Sequence, residues 1–229
     1  MKRQPWDAVL TAAARLQHLV PDTVLVGGSA AAVHARHRVS FDDDHVLGDL
    51  RDRFDDVLEH LEQQGGWVTA RVNRPVLILG SLDGIETGIR QLIRTRPLEV
   101  EEVDGPGGPV RVPTLVEMLR IKAWLVLRRN ATRDYLDVVA LAGRLGVEAA
   151  AKVTLDLDAY YEDQQGAGGR RIATQLARQL GEPAPYDLSD VDLRTYRRLA
   201  EPWRSWDAVA AACASLAAAM LDELSGDAG

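Results

Sequence analysis

The sequence predicts an α+β fold, with a small mixed-sheet core in residues 1–112 and a helical half in residues 113–229. Three observations carry that prediction. Short strand-like apolar runs are interleaved with amphipathic helical segments as far as Val112. A Gly/Pro-rich turn, Asp104–Pro109, separates the last two of those strands. From Pro113 onward the apolar spacing is helical almost throughout.

Each element follows from local pattern. Val9, Leu10, Ala13, Leu16 and Leu19 recur at helical spacing over Trp6–Leu19, and Pro21-Asp22 ends that helix. Residues 23–26 read as a buried strand, Ser29–His37 as an alanine-rich helix and Asp42–Leu47 as a second strand. Leu50, Phe54, Val57, Leu58 and Leu61 line one face of a helix over Leu50–Gln63, stopped by Gly65-Gly66. Strands are expected at Trp67–Val72, Pro75–Leu79, Ile85–Leu92, 98–103 and Val110–Val112. The second half gives a helix from Pro113 to about Arg129, then Ala131–Leu145 ended by Gly146. Leu155–Gln164, Arg170–Gln179, Leu193–Leu199 and Trp206–Leu224 follow, with a mobile loop expected at Gly166–Gly169.

Composition narrows the function classes. Of 229 residues, 46% are hydrophobic and 27% charged, as in globular proteins with a real core. The first residues, MKRQPWDAV, lack a signal-peptide core, and no apolar stretch is expected to span a membrane. Together with the single Cys213, which excludes an intrachain disulfide, this predicts a cytoplasmic protein. A net charge of −7 argues against a general nucleic-acid sink. Local basic paths stay open, because arginines cluster at 90, 94 and 96, at 128, 129 and 133, and at 194, 197, 198 and 204. Solvated helix faces explain each cluster equally well. Of 27 basic residues only Lys2, Lys122 and Lys152 are lysines, and Lys122 lies within an apolar stretch. A lysine kept in an arginine-rich chain marks a place for a compact point charge.

The chemistry concentrates in Val24–Val46, VLVGGSAAAVHARHRVSFDDDHV. An apolar strand ends in Gly27-Gly28-Ser29, where a helix N-terminus offers backbone N–H groups to phosphate. Alone, that turn is an ordinary capped helix start. Asp42 and Asp44 change the reading. On a strand they project from one face, and two adjacent carboxylates repel unless a cation lies between them. Mg²⁺, or Mn²⁺, suits such oxygen ligands and leaves room for substrate phosphates. Glu86 and Arg90 share one face of a nearby strand, opposite Ile85 and Ile89. Glu86 is thus the candidate general base or further metal ligand, with an exposed residue paired to arginine as its plain alternative. The histidines at 18, 34, 37, 45 and 60 show no zinc spacing; His34, Arg36, His37 and Arg38 read as a polar helix face.

This run resembles the first motif of the DNA polymerase β nucleotidyltransferase superfamily. More narrowly, it resembles the AbiEii/AbiGii-type toxin nucleotidyltransferases, relatives of the MenT toxins, whose motif runs from GG through a helix to HRxSxDxD. Here that motif is carried by Gly27, Gly28, Ser29, His37, Arg38, Ser40, Asp42 and Asp44. The family usually has an apolar residue where this chain has Asp43, which either sits at an exposed edge or exchanges into the metal role. A second segment, Lys122 to Asp137, resembles the family's KLxAxxxR…RDxxD stretch through Lys122, Arg128 or Arg129, Arg133, Asp134 and Asp137. Spacing alone also permits an ordinary Arg133–Asp137 ion pair.

The resemblance implies a metal-dependent nucleotidyltransferase moving an NMP from an NTP to an acceptor hydroxyl. Asp42 and Asp44 would hold the metal, and Glu86 and Lys122 would complete the catalytic set. Gly27, Gly28, Ser29, Arg38, Ser40, Lys122, Asp134 and Asp137 would bind the nucleotide or orient the groups that do. It further implies an acceptor that is an RNA 3′ end, particularly tRNA, or a protein hydroxyl, and a cognate antitoxin, while the lack of a spanning apolar stretch predicts no membrane partner. Two alternatives remain: a small-molecule transferase of the aminoglycoside-modifying sort, and an inactive fold kept as a binding module.

Overall fold

The computed structural model describes residues 5–164, 171–196 and 198–226; the expected loop at Gly166–Gly169, Lys2 and Arg197 lie outside them. The chain divides into two compact units, residues 1–30 with 40–114, and residues 31–39 with 115–229. The nine-residue segment 31–39 thus groups with the helical second half.

The first unit contains helix α1 (Pro5–Leu19), strand β1 (Val24–Leu25), the start of helix α2 (Gly27–Ala35) and strand β2 (Asp43–Leu47). Helix α3 (Phe54–Glu62) and strands β3 (Trp67–Asn73), β4 (Leu77–Leu82) and β5 (Ile85–Gln91) follow. A hairpin of β6 (Val100–Gly105) and β7 (Gly108–Pro113) completes it. Five strands form one sheet in the order β1-β2-β5-β4-β3, with β2 and β5 parallel and the other pairs antiparallel, so the sheet is mixed and the fold α+β. Asp83 and Gly84 join β4 to β5 with φ of 52° and 79°. Two positive φ values in a two-residue loop give the turn whose twist matches the strands.

One face of this sheet is the core. Leu16 and Val20, then Phe54, Val57, Leu58 and Leu61 of α3, close over Leu47, Trp67, Ile78, Leu82 and Ile89. Each such side chain contributes about 1.5–3 kcal/mol relative to exposure. Helix α3 starts at Phe54 rather than at Leu50, because residues 49–52 turn first, with the Asp52 N–H donating to the Asp49 carbonyl at 3.1 Å. Leu50 still reaches the core.

The second unit is helical: α4 (Leu115–Arg129), α5 (Thr132–Leu145), α6 (Val147–Leu155), α7 (Leu157–Tyr160), α8 (Ile172–Gly181) and α9 (Trp206–Gly226). Helix α4 packs on α5, and α9 on α5, α6 and α8. Trp124 stacks on Tyr161 with ring centroids 4.5 Å apart. The sequence pattern hides α6, because its alanines give little contrast between faces. The expected helix over Leu155–Gln164 is instead the end of α6, the single turn α7 and a 3₁₀ turn. Leu193–Leu199 reduces to a 3₁₀ turn at Leu193–Thr195, where the Asp192 carboxylate accepts from the Arg194 N–H. Helix α9 is long and apolar enough to cross a membrane by length and composition, contrary to expectation, with mean hydropathy 1.4 over Trp206–Ser225. Alanine supplies much of that value, and Val209, Cys213, Leu216, Ala217 and Met220 are buried.

Candidate functional site

In the first unit, β2 sorts the acidic triplet by parity. Asp43, His45 and Leu47 are buried on the core side, while Asp44 is half-buried and Asp42, one residue before the strand, is exposed. Asp42 and Asp44 therefore belong to the side away from the core. The Val26 N–H donates to the Asp44 carbonyl at 2.7 Å, extending the β1–β2 ladder up to the glycines. Gly27 opens α2 at φ 73°, a conformation that glycine adopts without strain. A side chain there would bring its Cβ within 3.2 Å of Asp44 Oδ2. The bare helix start thus faces the carboxylate, and its first N–H groups have no partner within the helix. Ser29 is fully buried, and its hydroxyl donates to the Asp42 carbonyl at 2.6 Å. Its side chain fixes the first turn of α2 to the aspartate segment and is thereby engaged within the fold. Ser40 is buried as well.

The parallel β2–β5 register sets Asp43 beside Thr87, Asp44 beside Gly88 and Val46 beside Arg90. Glu86, exposed, is on the same side of β5 as Gly88 and Arg90, and so on the Asp44 side of the sheet. Arg90 Nε lies 3.8 Å from Asp44 Oδ1. Among the described residues, no group of three or more His, Cys, Asp or Glu side chains could cage a metal ion. The Asp44 carboxylate beside an open helix start, with Asp42 exposed two residues earlier, nonetheless fits Mg²⁺, which takes one or two protein carboxylates and completes its shell with water and phosphate oxygens.

Behind the site, Asp43 neither lies at an exposed edge nor joins the Asp42–Asp44 side. It is fully buried, with Thr87 Oγ1 donating to Oδ2 at 3.4 Å and His45 Nδ1 3.5 Å from Oδ1. Burial pushes its carboxyl well above the usual range, the Asp44 charge adds to this, and Thr87 partly offsets it. Burial holds His45 down at about 3. Burial thus favours the neutral form of both groups.

The remaining sequence candidates form a network in the second unit. Asp137, on α5, is fully buried and accepts from His37 Nε2 at 2.6 Å and from Arg38 Nε at 2.8 Å and Nη2 at 3.0 Å. Lys122 Nζ of α4 lies 2.7 Å from Asp137 Oδ2 and 3.6 Å from Asp134 Oδ1. Burial alone would raise the Asp137 pKa, but Arg38, Lys122 and His37 outweigh it and hold the carboxyl well below its usual range. Asp134 goes the other way: burial raises it, and Lys122 only partly compensates. His37 is not on a polar helix face, because α2 ends at Ala35 and Arg36, at φ 52°, turns the chain away. Nor is Arg133–Asp137 among the ion pairs of the described residues; Arg133 is exposed while Asp137 is directed inward. Sequence reading missed Arg90 as a neighbour of Asp44, and Thr87 and His45 as neighbours of Asp43. The parity of β5 hinted at the first, but only the strand register reveals it.

No protein-family profile matches the chain. It is 38% identical over 132 residues to the haem uptake protein MmpL11 of Mycobacterium tuberculosis, covering 57% of this chain and 13% of that protein. It is 35% identical over 133 residues to the mycolic acid-containing lipids exporter MmpL11 of Mycolicibacterium smegmatis, again covering 57% and 13%. The chain thus spans a small fraction of the length of these curated relatives. Among solved structures, it is similar to a candidate nucleotidyltransferase of Helicobacter pylori, with 14% identity, TM-score 0.54, and 96% and 95% of the two chains covered. It also resembles JHP933 of Helicobacter pylori, with 15% identity, TM-score 0.53, and 96% and 92% covered. ANT(2″)-Ia in complex with adenylyl-2″-tobramycin aligns with 13% identity and TM-score 0.50 over 69% of this chain and 98% of that one. Beside a mixed sheet whose acidic strand faces a glycine helix start, these likenesses show that the chain has a nucleotidyltransferase-like fold.

Proposed function

We propose that the protein is a nucleotidyltransferase that moves an NMP from an NTP to an acceptor hydroxyl and releases pyrophosphate. The observation that carries this reading is the approach of the α2 start to Asp44, with the Gly27 Cβ position 3.2 Å from Oδ2. That approach supports the reading because a helix start can bind phosphate and a neighbouring carboxylate can ligate a metal.

In this reading the backbone N–H groups at Gly27 and Gly28 donate to phosphate oxygens and hold the triphosphate tail. Asp42 and Asp44 ligate a divalent cation, which when bound supplies electrostatic stabilisation of the phosphate charge. Glu86, exposed on the same side of the sheet, takes the proton from the acceptor hydroxyl. The hydroxyl oxygen forms a bond to the α-phosphorus as the bond from that phosphorus to the bridging oxygen breaks, and pyrophosphate leaves. By family resemblance alone, Arg38, Ser40, Lys122, Asp134 and Asp137 also belong to the nucleotide-binding set. The same resemblance supports an RNA acceptor, a tRNA 3′ end in particular, a role as the toxin of a toxin–antitoxin pair and a cytoplasmic site of action.

One observation favours a second acceptor class. The first unit carries 17 Asp and Glu against 11 Lys and Arg, a balance suited to a cationic acceptor such as an aminoglycoside. Offering tRNA and an aminoglycoside in parallel with each α-labelled NTP and Mg²⁺ separates the two. Label on RNA supports the first class and label on the aminosugar the second. No label on either, together with no metal-dependent NTP binding, leaves the binding-module alternative.

A further inference from the structure

On the side of β5 away from the core, Glu86, Gly88 and Arg90 follow one another along the strand. Gly88 is level with Asp44, so Arg90 stands one step beyond it on the neighbouring strand. The guanidinium turns back toward that carboxylate, with Nε 3.8 Å from Oδ1. Gly88 keeps the diagonal open. A Cβ at this position would fall 3.3 Å from the same Oδ1 and 2.8 Å from Leu79 Cδ2, so a larger residue would crowd the carboxylate and its approach. The other oxygen, Oδ2, faces the Gly27 position instead. The two oxygens of Asp44 thus have different neighbours: a helix start on one side and a fixed cation on the other.

We propose that Arg90 is a positioning residue, the resting counter-ion of Asp44, which competes with the divalent cation for that carboxylate and sets the cation's apparent affinity. The inference rests on the reading that Asp42 and Asp44 hold the cation. Two neighbouring carboxylates repel, and a guanidinium beside one of them relieves part of that repulsion. A divalent cation bound directly to oxygen relieves more, so it displaces Arg90. The pair is well placed to exchange, since the Arg90 and Asp44 side chains are 44% and 34% exposed and such solvated pairs are weak. Arg90 therefore raises the cation concentration that the site requires without blocking it.

The test titrates the full chain with Mn²⁺ alone, without nucleotide, following free Mn²⁺ by electron paramagnetic resonance. Arg90→Gln is expected to bind Mn²⁺ about two- to five-fold more tightly than the wild type, the range that the loss of an exposed ion pair allows. Arg90→Lys keeps the charge and returns the affinity toward the wild-type value. Arg71→Gln makes the same charge change on β3, three strands from β2 in the sheet order, and leaves affinity within two-fold. Wild-type or weaker affinity in Arg90→Gln overturns the inference, as does equal tightening in Arg71→Gln, which would reduce the effect to net charge. Failure of the wild type itself to bind Mn²⁺ overturns the metal reading and the inference with it.

Discussion

Asp137 is fully buried and yet ionised, because His37, Arg38 and Lys122 converge on its two oxygens. Removing its charge strands two buried cations, so Asp137→Asn is expected to destabilise the protein by about 3–5 kcal/mol in urea unfolding. An unchanged midpoint would show that the network carries no net stability. Its folded pKa lies below the unfolded value of about 3.9, so its contribution is present above that value and lost as pH falls through the lower one. Asp43 and His45 act in opposite senses. The raised carboxyl of Asp43 holds its proton to higher pH in the fold than in the unfolded chain, so its contribution declines as pH rises from about 3.9 toward the folded pKa. His45, held at about 3, stays neutral in the fold while the unfolded imidazole titrates near 6.5, so its contribution is lost as pH falls through that window. The two slopes oppose each other in mildly acid solution. Asp43→Asn removes one of them, and its stability should rise between pH 4 and 6.5 more steeply than that of the wild type. Superimposable pH profiles would contradict the upward shift of the Asp43 carboxyl.

At the scale of elements, the start of α2 and the strand β2 make the candidate site. Gly27→Ala would impose a side chain at φ 73° and press it against Asp44. An expected cost of about 1–2 kcal/mol follows from the backbone alone, with weaker Mg²⁺-dependent NTP binding beside it. Gly28→Ala, at a position without positive φ, is the comparison and should cost less. Equal melting temperatures for the two variants would remove Gly27 from its special role. The sequence made this much of the site legible, because Gly27, Asp42 and Asp44 belong to one local strand–helix–strand run whose periodicities are strong. The parity of β5, which sets Glu86 and Arg90 against Ile85 and Ile89, was legible for the same reason. Less local features were not. Helix α6 lacks contrast in an alanine run, and the end of α2 depends on the left-handed Arg36. The partners of Asp137 come from residues about 100 positions away, and no local spacing announces such a contact.

At the scale of the molecule, a mixed five-stranded sheet with its core on one face leaves the other face for Asp44, Glu86 and Arg90. The second unit keeps Lys122 beside two buried aspartates in place of an apolar contact. Buried charges are costly unless paired, and here Lys122 lies within 2.7 Å of Asp137 and 3.6 Å of Asp134. The likeness to nucleotidyltransferase-fold structures over 96% of the chain concerns this architecture, and the chemistry must be read at the aspartates. The most direct test uses one NTP carrying the label on either its α- or its γ-phosphate, incubated with Mg²⁺ and acceptor RNA. The account predicts α-label on the acceptor and γ-label released as pyrophosphate, both abolished in Asp42→Ala/Asp44→Ala. Release of γ-label as inorganic phosphate without α-transfer, or equal transfer by the double variant, would contradict it.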